Sequence, residues 1–417
     1  MTPAHNDATE TVILVGTLID GTGAEPRRDV TVTVNDGIIS RVAGESHAPR
    51  GSTVLDLRDC TVLPGLINMH AHMTLPGDGT PLAEWMELPD EILLLKAHVN
   101  AMAALNTGVT TIRDCGGRGR LMFRLRDAIR SGVVSGPRLV LCGRALTITG
   151  GHCHYFGGEA DGPDEMRQAA RQLLKEGADF IKIMASGGGT VGTYSQFPAF
   201  DVEELRAAIH EAHKIRKRAS CHCIATESVE VALDAGTDHI EHCMFMAPDT
   251  SVKYDEALGQ RLAQAGIFVT ATIQVLADLP PGAQERLKHS NAPAEEAQLA
   301  NLTRKLTADQ LGIIGILHDL GVPIVAGNDA GWRDTGFDDF YVELQYLEQA
   351  GLSPLEAIHA ATGRAAEACQ LQGVVGTVAE GCVADLVAVR DDPLHGLDAL
   401  KAPALVLQSG QVVVDRR

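Results

Sequence analysis

Leu63-Pro64-Gly65-Leu66-Ile67-Asn68-Met69-His70-Ala71-His72 is an apolar run that ends on two histidines one residue apart. Such a run reads as a buried strand, on which residues i and i+2 point to one face. Both imidazoles therefore project together from the strand's C-terminal end, where a parallel barrel keeps its chemistry. Imidazole is a common ligand for zinc and other transition metals. The bland alternative is a surface turn with two solvated histidines, and the rest of the chain bears on the choice.

Beyond this run, strand-like segments alternate with amphipathic ones. The strand candidates are Leu63–Met69, Val109–Asp114, Arg138–Cys142, Asp179–Met184, Ala219–Cys223, His239–Cys243, Ile267–Ile273 and Pro323–Gly327. Helical patterns such as Asp164–Glu176 and Asp201–Arg218 lie between them, the latter opened by a capping aspartate and first-turn acids. Eight strands with intervening helices predict an α/β fold, a (β/α)8 TIM barrel, over residues 63–373. Residues 1–62 and 374–417 consist instead of short strands and turns, with Asp36-Gly37 and Ser409-Gly410 as turn signals. The two ends are expected to form one small β-sandwich domain. The irregular segment Gln274–Gln298, with Pro280-Pro281-Gly282, reads as a lid over the catalytic side or as a variable surface loop.

The strand ends offer a consistent chemistry. Lys182 sits mid-strand in Asp179-Phe180-Ile181-Lys182-Ile183-Met184, where an unpaired ammonium is costly. It either pairs with a carboxylate or, as a neutral amine, takes up carbon dioxide to give a carbamate able to bridge two metals. In Ser220-Cys221-His222-Cys223, alternation selects His222 and turns both thiols away. In His239-Ile240-Glu241-His242, the reading takes His242 as the ligand and expects His239, at odd spacing, to point outward. Asp329 closes the eighth strand, either as an N-cap for the next helix or as a metal ligand and proton shuttle. His98, His210, His213, His318 and His359 lie in helical patterns and are not read as ligands.

Composition narrows the class. With 45% hydrophobic residues over 417 positions the chain can bury a large core, and with only 4% aromatic residues that core must be aliphatic. A net charge of −19 argues against nucleic acid and anionic membranes as partners. The nine cysteines form no CxxC pair, which predicts reduced, buried thiols. Met1–Glu10 lack the apolar stretch of a signal peptide, and no apolar segment approaches ~20 residues, so a soluble cytoplasmic protein is expected. Apolar positions in Leu93–Leu105 lead to the expectation of a homo-oligomer.

The ordered set of four histidines, one lysine and one aspartate at strand ends resembles the amidohydrolase superfamily, in its binuclear branch with a carboxylated lysine. Thr110-Thr111-Ile112-Arg113-Asp114, Pro354-Leu355-Glu356-Ala357 and the closing Gly381-Cys382-Val383-Ala384-Asp385-Leu386-Val387 are similar to family segments. Thr149-Gly150-Gly151-His152 together with Lys182 looks like the prolidase-related group, which cleaves Xaa-Pro and other dipeptides or N-acyl amino acids. Relatives of that group hydrolyse aryl amides, phenylureas or the amide of ochratoxin. The resemblance implies His70, His72, Lys182, His222, His242 and Asp329 as ligands of two divalent ions, with zinc the expected metal. It also implies that His152 touches substrate. His154, Tyr194 and Arg333 are further candidates for holding a substrate carboxylate. Gly192-Thr193-Tyr194-Ser195 and Gly331–Phe337 depart from the family pattern, at positions that shape the pocket. Two rival readings are a nucleobase-type deaminase, whose kin use one metal and place no lysine on the fourth strand, and a relative without activity that serves as a binding protein.

Overall fold

A computed structural model describes residues 10–44, 52–279, 287 and 294–417. Its strands, in chain order, are β1 (Thr11–Leu18), β2 (Arg27–Asn35), β3 (Ile38–Gly44) and β4 (Thr53–Pro64). Then follow β5 (Leu66–Ala71), β6 (Val109–Asp114), β7 (Arg138–Leu141), β8 (Ile181–Met184) and β9 (Ala219–Ala225). The remainder are β10 (His239–Met246), β11 (Phe268–Thr270), β12 (Ile324–Val325), β13 (Leu386–Val389), β14 (Leu405–Gln408) and β15 (Gln411–Asp415). The protein is a mixed α/β fold with parallel sheets.

β5 to β12 are all paired in parallel, in a three-stranded sheet β5-β6-β7 and a five-stranded sheet β12-β11-β10-β9-β8. Backbone bonds join the two sheets at both seams. At one, Met69 N–H donates to Ala326 O (3.0 Å) and Asp329 N–H to His70 O (2.9 Å); at the other, Leu146 N–H donates to Lys182 O (2.8 Å). Helices such as Asp90–Asn106, Gly162–Glu176 and Val202–Lys214 follow the strands in alternation. The last begins as its sequence implied: Asp201 accepts from Glu203 N–H and Glu204 N–H, and Glu204 reaches back to Asp201 N–H.

The chain ends form one seven-stranded mixed sheet, β15-β14-β13-β4-β1-β2-β3. A second, facing sheet, as a sandwich requires, is not among the described residues. Its two predicted turns have left-handed backbone at both central residues, Asp36 (φ 50°) with Gly37 (φ 79°) and Ser409 (φ 49°) with Gly410 (φ 75°). That geometry matches the right-handed twist of the flanking strands.

The expected strand Leu63–Met69 divides at Gly65. Leu63 and Pro64 finish β4 against β13, and β5 starts the parallel set. A Cβ on Gly65 would lie 2.1 Å from Thr110 Oγ1, so only glycine lets the chain pass this close to β6. The cysteines are all free thiols, buried except for the half-buried Cys369. Among the described residues, no helix is long and apolar enough to cross a membrane. Of Gln274–Gln298, residues 280–286 and 288–293 lie outside the described residues; Gln274–Ala277 is a single helical turn, and a long helix covers Ala294–Asp319.

Candidate active site

The C-terminal ends of the parallel strands converge on a cavity of about 230 Å³, whose lining includes His70, His72, His152, His222, His242, Asp329, Trp332 and Arg333. In β5 the register with β6 slips between Asn68 and Ala71, just where His70 leaves the strand. His70 Nε2 and His72 Nε2 lie 3.4 and 3.3 Å from the same Asp329 Oδ1. The ring of His242 is 5.1 Å from that of His70 and 4.5 Å from that of His222, which is 4.7 Å from His152. Ligand atoms of His70, His242 and Asp329 all fall within 4.8 Å of one another.

Each of the four expected histidine ligands has its other nitrogen tied down. His70 Nδ1 faces Glu241 Oε2 at 2.9 Å, and His72 Nδ1 faces Gly116 O at 2.8 Å. His222 Nε2 faces Gly187 O at 3.0 Å. Carboxylates and carbonyls only accept, so these nitrogens carry the protons. His242 Nδ1 lies 2.6 Å from Thr272 Oγ1, whose own hydrogen goes to Ala271 O, and so donates likewise. A bare lone pair is left on Nε2 of His70, His72 and His242 and on Nδ1 of His222. Burial pushes all four imidazoles toward the neutral form, His72 to about 4. Burial also raises the Asp329 carboxyl to about 7, against the pull of Lys182.

Two buried groups have unmet bonding capacity. Lys182 Nζ, fully buried, has no hydrogen-bond partner and no carboxylate within ion-pair distance among the described residues, and Asp329 Oδ1 is also without a hydrogen bond. The ordinary explanation of Lys182 as half of a salt bridge therefore fails. Asp329 is no N-cap either: its backbone is left-handed (φ 60°), its C=O accepts from Trp332 N–H, and the next helix begins only at Tyr341. Four bare imidazole nitrogens and a carboxylate oxygen around one cavity, with an unpartnered buried amine whose charge acts on each of them, are a donor set that fits divalent cations.

The substrate candidates divide. His152 is buried, its Nδ1 held 2.8 Å from Thr190 Oγ1, and Arg333 is exposed at the cavity's edge. His154 is not brought to the cavity. It opens a short helical turn after the left-handed Cys153 (φ 59°), and its ring rests on Tyr155. Tyr194 lines no part of the cavity and is 67% exposed; its backbone packs on Gly187 while the neighbouring Ser195 faces the site.

The expectation for His239 is overturned. It is buried, with Nε2 2.6 Å from Thr270 Oγ1 and 3.8 Å from Glu241 Oε1. Positive φ at His242 (69°), Cys243 (54°) and Phe245 (52°) breaks the two-residue period, so His239 and His242 both join the buried polar layer. Gln310, from the long helix, fixes this kink by donating to His242 O and to Ala271 O.

Glu241 is the residue that strand alternation passed over. Fully buried, it accepts from Arg113 Nη1 (2.6 Å) and from Ser220 Oγ while it orients His70. Burial opposes its charge, yet Arg113, His239, Lys182 and His70 together hold its carboxyl well below the usual range. Its signal in the sequence was a pair of opposite charges, Arg113 and Glu241, each inside an apolar strand.

A buried histidine–carboxylate cluster at parallel-strand ends, with free lone pairs and an acid near neutrality, defines a metal-dependent hydrolase. The chain belongs to the amidohydrolase family, whose pattern matches residues 61–415. It is similar to the ochratoxinase of Aspergillus niger, at 28% identity over 96% of this chain and 85% of that protein. Among solved structures it is similar to a Xaa-Pro dipeptidase with methionine bound in its active site (TM-score 0.85, 28% identity, covering 97% of this chain and 99% of that one). It is also similar to a prolidase complexed with N-methylphosphonate-L-proline (TM-score 0.83, 26% identity, covering 98% of this chain and 100% of that one). Within the family, then, the protein is prolidase-related.

Proposed function

We propose that this protein hydrolyses the C–N bond of a dipeptide or N-acyl amino acid. The observation that carries the reading is the cluster of His70, His72 and His242 around Asp329, with the bare nitrogen of His222 beside His242 and with His152 and Arg333 lining the same cavity. The eight parallel strands act as one (β/α)8 barrel over residues 63–373, and residues 1–62 and 374–417 supply the terminal β domain. His70, His72 and Asp329 would hold one divalent ion and His222 and His242 a second. Lys182 would link the two once its neutral amine has added carbon dioxide, losing one proton to become a carbamate. Bound ions, zinc being the expected one, lower the pKa of water from ~15.7 toward ~7 and polarise a carbonyl oxygen.

The remaining roles belong to the chain. Asp329 accepts the proton of the attacking water and delivers it to the departing amine nitrogen. His152 donates a hydrogen bond to the oxygen that gains charge. Arg333 pairs with the carboxylate of the substrate, for which its exposed guanidinium has no competing acid partner within ion-pair distance among the described residues. A second reading, hydrolysis of aryl amides, carbamates or ureas including ochratoxin-type amides, is supported by the apolar lining from Met184, Ile224, Met244 and Trp332. A nucleobase-type deaminase is disfavoured by the buried, unpartnered Lys182.

A mass-spectrometric screen of zinc-loaded protein against dipeptides, N-acyl amino acids, aryl amides, carbamates and nucleobases tests the proposal. Release of a free amino acid from the first two groups supports it; cleavage confined to aryl amides or carbamates selects the second reading, and ammonia release from nucleobases selects the deaminase. Asp329→Asn should abolish turnover while some metal stays bound, and normal turnover would remove Asp329 from the acid–base role. Exposed Leu95 (63%) and Val99 (65%) on the helix Asp90–Asn106 support assembly into a homo-oligomer, which light scattering measures directly.

A further inference from the structure

Two cavities meet at Trp332. The inner one, about 230 Å³, holds the histidines; an outer one of about 480 Å³ lies beside it, and Gly189, Trp332 and Arg333 line both. The inner volume alone falls short of the ~300–1,000 Å³ of ordinary small-molecule sites, and the two together reach that range.

Trp332 is held in place as a partition. Its ring meets His152 edge-on at 5.5 Å (82°), and it packs so closely on Gly189 that a Cβ there would lie 2.7 Å from Trp332 Cζ2. The outer walls are largely apolar: Leu75, Pro76, Leu82 and Trp85 on one side, Leu299 on the long helix. At the lip, Val191 is 97% exposed, an apolar side chain left in water beside an apolar hollow. Asp78, Asp278 and Asp334 also line this compartment, against Arg333 as its one cation among the lining residues. A second carboxylate is unwelcome there, so a group entering it is uncharged.

We propose that the outer cavity is a second substrate compartment, which receives a bulky, uncharged aryl or long acyl group of an amide whose scissile bond sits among the histidines. Trp332 is the residue that sets this preference, through its ring face and through the width of the passage it leaves. The inference rests on the amide-hydrolase reading above and sharpens it: the acyl half of the substrate is larger than a small amino acid.

The chain has two tryptophans, Trp85 and Trp332, and both line this compartment, so their emission reports its occupancy independently of turnover. The zinc-loaded protein is titrated with N-(2-naphthoyl)-L-alanine and, in competition, with N-acetyl-L-alanine, and release of alanine is followed separately. The naphthoyl probe should quench emission saturably and bind roughly tenfold tighter than the acetyl probe. Trp332→Phe should keep most of that ratio and Trp332→Ala should bring it close to one. Val191→Glu, at an exposed position where folding is not at stake, should weaken naphthoyl binding severalfold. Equal affinity for both probes in the unaltered protein, or a ratio untouched by both Trp332→Ala and Val191→Glu, overturns the proposal. Preferential binding without alanine release from either probe supports the compartment and overturns the amide-hydrolase reading for these acyl amino acids. Alanine release without naphthoyl preference does the reverse.

Discussion

The terminal sheet and the ends of the parallel strands obey different rules. In the sheet, Ile13, Val15, Val30, Val32, Leu386 and Leu407 pack into their own apolar cluster, and left-handed backbone is confined to turns and strand irregularities such as Asp29, Asp36 and Ser409. At the strand ends the buried layer contains Arg113, Lys182, Glu241 and Asp329, and left-handed backbone falls on His242, Cys243, Thr272, Asp329 and Arg333. Where packing alone is selected, local preference and global fold agree. Where donor atoms must converge, the chain keeps strained backbone and unsatisfied groups that the surrounding helices hold in place.

The contrast can be broken or sharpened by measurement. The largest effect is expected at Lys182→Ala, which should lower kcat by about 10³-fold and reduce zinc per chain by elemental analysis. Retained activity and metal would show that the lysine merely packs. Next comes Glu241→Gln, which strips the buried Arg113 of its countercharge. A loss of about 3–5 kcal/mol in urea unfolding is expected, and a loss under ~1 kcal/mol would contradict the role given to the polar layer.

Glu343 supplies a test in pH. Burial raises its carboxyl to about 8, although its two oxygens accept from Ile273 N–H and Gln274 N–H. The native state thus binds a proton that the unfolded chain, with an ordinary value of ~4.3, has released, so stability falls as pH rises from there through about 8. Between pH 6 and 9 the Tm should drop more steeply in the unaltered protein than in Glu343→Gln. Parallel slopes would mean that the carboxyl titrates normally.

The smallest effect belongs to the sheet. Gly410→Ala places a Cβ at φ 75° and 2.8 Å from Gly37 Cα, and should cost about 1–2 kcal/mol with kcat unchanged. A change in kcat would mean the two regions are coupled.

Much of this was legible in residue order. The turns at Asp36-Gly37 and Ser409-Gly410 and the alternation of strands with helices follow from local preference, which packing here reinforces. The pairing of His70 with His72 was readable because β5 keeps i and i+2 together across its bulge. Three things were not readable. Gly65 divides what looked like one strand because Thr110 presses on it, a contact between residues distant in sequence. His242 joins His239 and Glu241 in the buried layer because of a kink that Gln310 holds, from a helix far along the chain. Trp332 as a partition depends on Gly189, and nothing local marks either residue as the other's neighbour.

The terminal sheet also has a history in time. β4 lies between β1, the first strand of the chain, and β13, which is made near its end. At ~5–20 residues per second, the stretch from Pro64 to Leu386 takes the ribosome roughly 15–65 s. For that interval the edge of β4 that will receive β13 is open to any strand that arrives, its own neighbour's or another nascent chain's. The last strands therefore act as a clasp, and a chain released before β13 is made would keep a sticky edge however well its histidines were placed.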